Sequence, residues 1–231
     1  MAKKTLVSRI AGLVAALAAL TLAAVAAAQP TPQPSLRPAP GLPDSVAAFV
    51  RADFHHGITY EAARSYGPPA VPELLTMLAR DEEREHWSNV LSVLGMIGDP
   101  RATEPMIEFL ERRFSGEVDP VTYGALLQVV PSLGFLARDP TGRAFTYLRE
   151  GTSLATWRNR KLAWTFPALR GAELEILMVK LDILGLGISA TEASRAHLRT
   201  LRKASDDDRD GLWSFIETDV AEALRTAERL P

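Results

Sequence analysis

The stretch that decides the fold is residues 94–102, which read Leu94-Gly95-Met96-Ile97-Gly98-Asp99-Pro100-Arg101-Ala102. It predicts that one helix ends, the chain turns and a second helix begins. A glycine near a helix end accepts the left-handed backbone that closes many helices. An aspartate can then cap the following helix, whose first turn tolerates proline. We therefore expect a helical hairpin here, in which Ala102 lets a neighbouring helix approach closely.

The same punctuation recurs along the chain. Residues 133–144 and 184–196 repeat the Leu-Gly opening, and residues 66–70 form a fainter copy. Each copy precedes a segment whose apolar residues recur every three or four positions, which is the helical period. No convincing alternation predicts a strand, and a lone hairpin cannot bury its apolar face, so we expect the copies to stack. The alanines that open the segments lie 32, 42 and 52 residues apart, which indicates insertions in the later loops: Ala70, Ala102, Ala144 and Ala196.

The copies at 94–102 and 133–144 resemble HEAT repeats, in particular the short variety also found in bacterial phycobilisome-lyase-like proteins. The resemblance covers roughly residues 60 to 230, although the copy around Gly185 lacks the Asp-Pro pair. It implies an all-α fold, a right-handed α-solenoid of about four helix pairs, within a domain of residues 44–231. Pro131 lies in an apolar stretch and is expected to kink or divide its helix. Lyase activity on bilins is not carried over, because the chain has no cysteine and no chromophore signature.

Charge and cysteine content narrow the function classes. The chain has 231 residues with 26 basic and 28 acidic side chains, and its first 28 residues hold three of the basic ones and no acidic one. The remainder is therefore acidic, which argues against nucleic-acid binding because that requires a clustered positive field. The absence of cysteine from the sequence excludes disulfides, zinc-thiolate sites, thiol nucleophiles and a cysteine-linked lipid anchor.

Residues 1–28 predict a secretory signal peptide. Lys3, Lys4 and Arg9 precede the uncharged apolar run Ile10–Val25, and the small residues 26–28 then form a cleavage-type site before position 29. No twin arginine is present, which favours the general secretory route. We expect cleavage and a periplasmic or extracellular protein with no membrane span. The alternative is an uncleaved anchor, since the run is almost long enough to cross a bilayer.

Residues 29–43 predict a proline-rich, disordered linker. They contain six prolines, a density that blocks helix and sheet and favours an extended chain. A proline-rich ligand for a recognition domain is the alternative interpretation.

An acidic stretch near the C-terminus matches the EF-hand loop pattern D-x-D-x-D-G-x5-E. Calcium takes several hard oxygen ligands on a tightly turning chain. The alternative is an acidic turn in which Asp210 caps a helix that starts near Gly211, with Trp213 and Ile216 on its apolar face. Arg202 and Ser205 also stand where an entering helix would place apolar residues. The candidate calcium ligands are Asp206, Asp208, Asp210, the Leu212 carbonyl, Ser214 and Glu217.

Two further groups of side chains suggest sites. Asp53, His55 and His56 are rich in ligand atoms, but adjacent histidines point to different sides of the chain, so a solvated helix start is the stronger interpretation. The densest basic-aromatic stretch suggests a partner-binding patch, because arginine and tryptophan are common interface anchors. The alternative is that Leu154, Trp157, Leu162 and Phe166 face the core, with the basic side chains in water. The patch consists of Trp157, Arg158, Arg160, Lys161, Trp164 and Arg170.

The sequence predicts a non-catalytic scaffold or adaptor that binds a protein partner in the bacterial cell envelope. It contains no nucleophile elbow, phosphate loop, zincin helix or dinucleotide fingerprint, and the pair Glu82/Glu83 lies on a charged turn. We therefore predict that the chain is not an enzyme and holds no cofactor, with a calcium module and an enzyme accessory factor as alternatives. The oligomeric state stays open. A concave surface is expected to be lined by Ser88, Asn89, Ser92, Gln128 and Lys180.

Overall fold

The computed structural model describes residues 41–54, 57–169, 172–203 and 211–229. The predicted signal peptide and all but the last three residues of the predicted linker lie outside this part of the chain. The described residues form eleven α-helices and one pair of two-residue strands. The predicted all-α class is therefore confirmed.

The elements are numbered in chain order. The helices are α1 (Val46–Val50), α2 (Tyr60–Tyr66), α3 (Val71–Leu78), α4 (Trp87–Ile97), α5 (Thr103–Glu111), α6 (Pro120–Leu136), α7 (Arg143–Gly151), α8 (Leu154–Arg160), α9 (Glu173–Ser189), α10 (Glu192–Lys203) and α11 (Trp213–Arg229). Short 3-10 turns lead into α3, α4 and α5 at Pro68–Ala70, Asp81–His86 and Pro100–Ala102. The strands are β1 (Gly116–Glu117) and β2 (Trp164–Thr165).

Four helices form a packed row, in which α4 packs on α6, α6 on α9 and α9 on α11. Neighbours in the row run in the same direction. Near the start of α4 and α6, Arg84 Nη1 lies 3.6 Å from Asp119 Oδ2, and near their ends Gly95 meets Ser132. The helices α5, α7 and α10 pack beside the row and return the chain between its members, and α3 packs against α4 at the start of the row. The inner helices α6 and α9 are buried on nearly every side, as helices that are apolar all round must be.

Glycines set the distance between the row helices. A Cβ added at Gly95 or at Gly134 would lie only 2.6 Å from a backbone oxygen of the next helix, that of Ser132 or Gly185. At Gly187 it would lie 2.9 Å from the Cα of Ala223 on α11. Each of these glycines lies inside a helix rather than at its end. These three glycines therefore do not form left-handed caps, and their missing side chains instead allow the backbones of neighbouring helices to touch.

The left-handed cap and the aspartate cap are confirmed at the first copy. Gly98 ends α4 with φ 76°, and Asp99 Oδ1 accepts a hydrogen bond from Arg101 N at 2.9 Å. The second copy differs, since Asp139 Oδ1 accepts from Thr141 N at 2.9 Å in a turn, and α7 begins four residues after Asp139 with no side-chain cap. Pro131 lies within the continuous helix α6 and does not divide it.

Two loops that are distant in sequence are joined by the strands, which the sequence did not predict. β1 and β2 pair in parallel, and Gly116 N donates to the Ala163 oxygen at 2.8 Å, while Val118 N donates to the Thr165 oxygen at 3.0 Å. Trp164 is fully buried beside them. The widest interval between copies is thus folded back onto the loop after α5. Within the described ranges, no helix combines the length and apolar character that a membrane span requires.

Candidate functional site

The basic-aromatic stretch is built largely into the interior. The indoles of Trp157 and Trp164 are 1 % and 0 % exposed. Trp157 Nε1 donates to the Gly151 oxygen at 2.9 Å and to Asp182 Oδ2 at 2.8 Å, and Trp164 Nε1 donates to the Leu110 oxygen at 2.8 Å. Trp157 therefore takes the core position of the alternative interpretation, and Trp164, which that interpretation did not include, is buried as well. A partner reaches neither of them in this conformation.

Arg160 is also held by the fold. Its guanidinium carbon lies 3.7 Å from the ring centroid of Tyr147 and 4.4 Å from that of Trp157. Its Nε is 3.5 Å from Glu111 Oε1, and its Nη2 donates to the Tyr147 oxygen at 3.2 Å. Stacking on aromatic faces compensates an arginine for lost water. The solvated position expected for this side chain is therefore not observed, since only 12 % of it is exposed.

Asp182 lies in the same region and is the most deeply buried acid of the described chain. Burial raises its pKa well above the ordinary value, against the opposing effects of the Arg160 charge and the Trp157 hydrogen bond. Its Oδ1 has no hydrogen-bond partner in the described residues. The Tyr147 hydroxyl donates to Glu111 Oε1 at 2.8 Å, and burial likewise raises the pKa of Tyr147. We call this set the core polar cluster: Glu111, Tyr147, Trp157, Arg160 and Asp182.

The core polar cluster was not predicted from the sequence, although the sequence contains one signal of it. Asp182 and Lys180 are charged residues in the middle of α9, where every other residue from 176 to 188 is apolar or glycine. Buried charges in such surroundings need partners. Lys180 has one in Asp219 of α11, with Nζ 2.8 Å from Oδ2. Burial raises the pKa of Asp219, although the hydrogen bond and charge of Lys180 act in the opposite direction.

The remaining members of the basic-aromatic patch lie at the surface or outside the description. Arg158 and Lys161 are exposed, and Lys161 ends α8 in the left-handed conformation with φ 52°. Arg170 lies outside the described residues. A partner contact at Arg158 and Lys161 stays a prediction.

The residues predicted to line a concave surface divide into two groups. Ser88, Asn89, Ser92 and Gln128 are half-buried on α4 and α6. Asn89 Nδ2 donates to the Val50 oxygen at 2.9 Å, and Gln128 Nε2 donates to Ser132 Oγ at 3.2 Å. Lys180 is 4 % exposed and belongs to the interior ion pair instead. Accessible lining positions are thus found on the first two row helices.

The calcium pattern is described only in part. Asp206, Asp208 and Asp210 lie outside the described residues. Leu212 precedes α11, while Ser214 and Glu217 already belong to the helix, and Ser214 Oγ donates to the Gly211 oxygen at 3.0 Å. This helix buries the apolar face named in the alternative interpretation, through Ile216, Val220, Leu224 and Ala227. Calcium binding therefore stays a prediction, made for a segment whose second half is helical.

Metal ligands are not grouped elsewhere in the part of the chain that can be described. No three acidic, histidine or cysteine side chains approach one another closely enough there to hold an ion. Asp53 is exposed, and His55 and His56 lie outside the description.

An open groove of about 480 Å³ lies between α3 and α5. Arg113 closes one end, where its guanidinium carbon is 4.5 Å from the Trp87 ring centroid and its Nη2 donates to Asp81 Oδ1 at 2.6 Å. The sequence did not predict this groove, because its two walls come from different helix pairs. Its lining residues are Leu75, Leu78, Ala79, Pro105, Glu108, Phe109, Arg112 and Arg113.

These features define an all-α protein built on a row of parallel helices with a polar cluster in its core. A segment of 91 residues is 33 % identical to the bilin biosynthesis protein PecE of Mastigocladus laminosus. The match covers 38 % of this chain and 32 % of that relative, so the chain spans about a third of the length of the curated protein it matches. No protein-family profile matches the chain, and no solved structure matches it significantly.

This similarity corrects one prediction. The sequence predicts a chain that is not an enzyme and has no lyase activity on bilins. A relative named for the biosynthesis of bilin contradicts the non-enzyme prediction, and we do not retain it. The similarity agrees loosely with the resemblance to phycobilisome-lyase-like HEAT proteins.

Proposed function

We propose that this chain is a HEAT-like α-solenoid that binds another protein. The observation that carries the proposal is the row α4–α6–α9–α11, whose members run parallel and touch through glycines while the other helices return the chain. Stacked helix pairs of this kind present extended surfaces that proteins use for binding. The similarity to PecE supports the same family of helical proteins.

The surface best suited to a partner lies on α4 and α6. Val121 is a large apolar side chain with 36 % exposure, and Gln128 follows seven residues later on the same side of α6. Ser88 and Ser92 are the accessible polar positions of the adjacent helix α4. An apolar centre with a polar surround is the usual arrangement of a protein interface. We call these four residues the α4–α6 face.

A pair of matched variants tests this surface. Val121→Glu places a charge at the apolar position of the α4–α6 face, whereas Ala196→Glu places the same charge at an exposed position of α10. We expect crosslinking capture from the native envelope to recover a protein with the wild type and with Ala196→Glu, and to lose it with Val121→Glu. Equal capture by the two variants contradicts the proposal, provided that both melt as the wild type does.

We further propose that the protein acts in the cell envelope after export. The tripartite composition of residues 1–28 supports this location. The mature protein isolated from its native cells should begin at Gln29 and should be found in the envelope or the medium. A chain that retains residues 1–28 in the cytosolic fraction would refute it.

A second candidate function is participation in bilin biosynthesis. The similarity to PecE favours it over other enzymatic roles. The test is a titration of the purified protein with a linear tetrapyrrole, followed by absorbance. Saturable spectral change supports this candidate, while an unchanged spectrum together with successful protein capture leaves the binding function alone.

A further inference from the structure

The core polar cluster gives Asp182 little support for a negative charge. Its carboxyl is 0 % exposed within α9. One donor reaches it, Trp157 Nε1, and that donor is shared with the Gly151 oxygen. The second oxygen, Oδ1, has no partner in the described chain. A buried carboxylate needs several donors or a dedicated cation, because it has lost the water that would otherwise solvate it.

The one cation that faces Asp182 among the described residues also lies close to a second carboxyl group. Arg160 of α8 faces Asp182, but its Nε also lies 3.5 Å from Glu111 at the end of α5. The facing group on α7 is the phenol of Tyr147, which is bonded to Glu111. Helix α6 contains no charged residue. The single positive charge of Arg160 is therefore shared between the carboxyl groups of Glu111 and Asp182. If both were ionised the three groups would carry a net charge of −1, and one proton makes them neutral.

The charged groups on the remaining neighbours are engaged elsewhere. Asp219 of α11 is paired with Lys180, at 2.8 Å between Oδ2 and Nζ. His197 of α10 lies with its Nε2 3.0 Å from Thr152 Oγ1. Neither arrangement directs a further charge at Asp182.

The contact with α7 also leaves no room for water between Gly151 and Asp182 Oδ2. A Cβ added at Gly151, the last residue of α7, would lie 2.0 Å from Asp182 Oδ2. The end of α7 thus contacts the carboxyl group of Asp182 directly, and Trp157 of α8 contacts the same group through its hydrogen bond. Hydration of an ionised Asp182 requires that α7 and α8 move away from α9.

We propose that Asp182 carries a proton in the folded protein at neutral pH, and that its ionisation as the pH rises releases α7 and α8 from α9. The contact then acts as a pH-sensitive device in the fold. It is independent of which partner the α4–α6 face binds.

The direction of the pH dependence follows from linkage. Burial raises the pKa of Asp182 in the folded state, while the unfolded chain returns it to about 3.9. The folded protein therefore holds one more proton than the unfolded chain between these two values. Its stability is highest below the unfolded pKa and falls as the pH rises toward the folded pKa.

The test compares denaturant unfolding of the wild type, Asp182→Asn and the control Asp53→Asn between about pH 5 and pH 8. Asparagine mimics the protonated acid, and Asp53 is an exposed acid that should not contribute. We expect the unfolding constant of the wild type, relative to Asp182→Asn, to rise about tenfold per pH unit. The ratio to Asp53→Asn should stay constant. A wild-type to Asp182→Asn ratio that does not change with pH overturns the proposal.

Two measurements complete the test. Amide exchange over residues 143–160, compared between wild type and Asp182→Asn at each pH, should become faster in the wild type as the pH rises; equal rates overturn the release of α7 and α8. If Asp182→Asn does not fold, infrared spectra of the intact wild type at neutral pH decide the protonation. A carboxylic-acid carbonyl band in the wild type that persists in Asp219→Asn supports a protonated Asp182. Absence of this band from the wild type overturns the proposal.

Discussion

Replacement of Gly134 by alanine is the sharpest test of how the row helices pack. The added Cβ would lie 2.6 Å from the Gly185 oxygen and 3.0 Å from the Gly185 Cα. Both atoms belong to backbone inside α9, so neither can swing aside. The helices must separate by most of an ångström, and a gap of that size forfeits a quarter to a half of the dispersion energy of the atoms it parts. Overpacking of this kind costs about 3 kcal/mol at the upper end of its usual range.

Alanine also has an intrinsic advantage that must be subtracted. It favours helix over glycine by about 1 kcal/mol in a helix interior. The net expectation for Gly134→Ala is therefore a loss of about 2 kcal/mol in the free energy of unfolding, or about 4–8 °C in melting temperature for a chain of this size.

Gly124 provides the control on the same helix. It is exposed, and a Cβ added there meets no atom within 4 Å. Gly124→Ala should therefore raise the free energy of unfolding by about 1 kcal/mol through helix propensity alone. The assay is chemical denaturation followed by circular dichroism. If both substitutions stabilise the protein, close contact between α6 and α9 does not occur and the reasoning is refuted.

Three further predictions concern other buried contacts and the acidic stretch. Lys180→Met should lower the free energy of unfolding by about 3 kcal/mol, because it leaves Asp219 buried and unpaired. The additional substitution Asp219→Leu should recover most of this loss. Thermal melts of the single and double variants check the prediction, and equal stabilities of the two variants would contradict it. Trp164→Phe should cost about 1–3 kcal/mol in denaturant unfolding, since the Leu110 carbonyl loses its buried donor; an unchanged midpoint would show that water replaces the indole. Calcium binding at residues 206–217 predicts a higher melting temperature with calcium than with chelator, and identical values would remove that alternative.

The sequence was sufficient for the features that are local. Helical periodicity gave the all-α class, and the caps at Gly98 and Asp99 followed from the residue types. These predictions succeeded because capping involves atoms only a few residues apart. The solenoid itself was an inference from resemblance and remains part of the proposed function.

Features that join distant residues could not be predicted in the same way. Whether Gly134 caps a helix or admits a neighbour depends on Gly185, about fifty residues away. The sequence predicts Arg160 in a partner-binding patch or, as the alternative, in water, but its contacts Glu111 and Tyr147 come from the distant helices α5 and α7. The strands of two residues are too short to leave an alternating pattern, and their pairing partner lies in another loop.

The pairing of β1 with β2 limits which helices can be deleted from the protein or exchanged with those of another protein. In proteins built from modular repeats, one helix pair can be deleted or exchanged while the rest persists. Here the loop after α8 carries Trp164, whose indole is anchored on the Leu110 carbonyl of the preceding pair. Excising α5 and α6 would remove that acceptor together with the partner strand. Residues 103–169, from α5 to the loop after α8, therefore form one module. A chimera has to exchange these residues as a block.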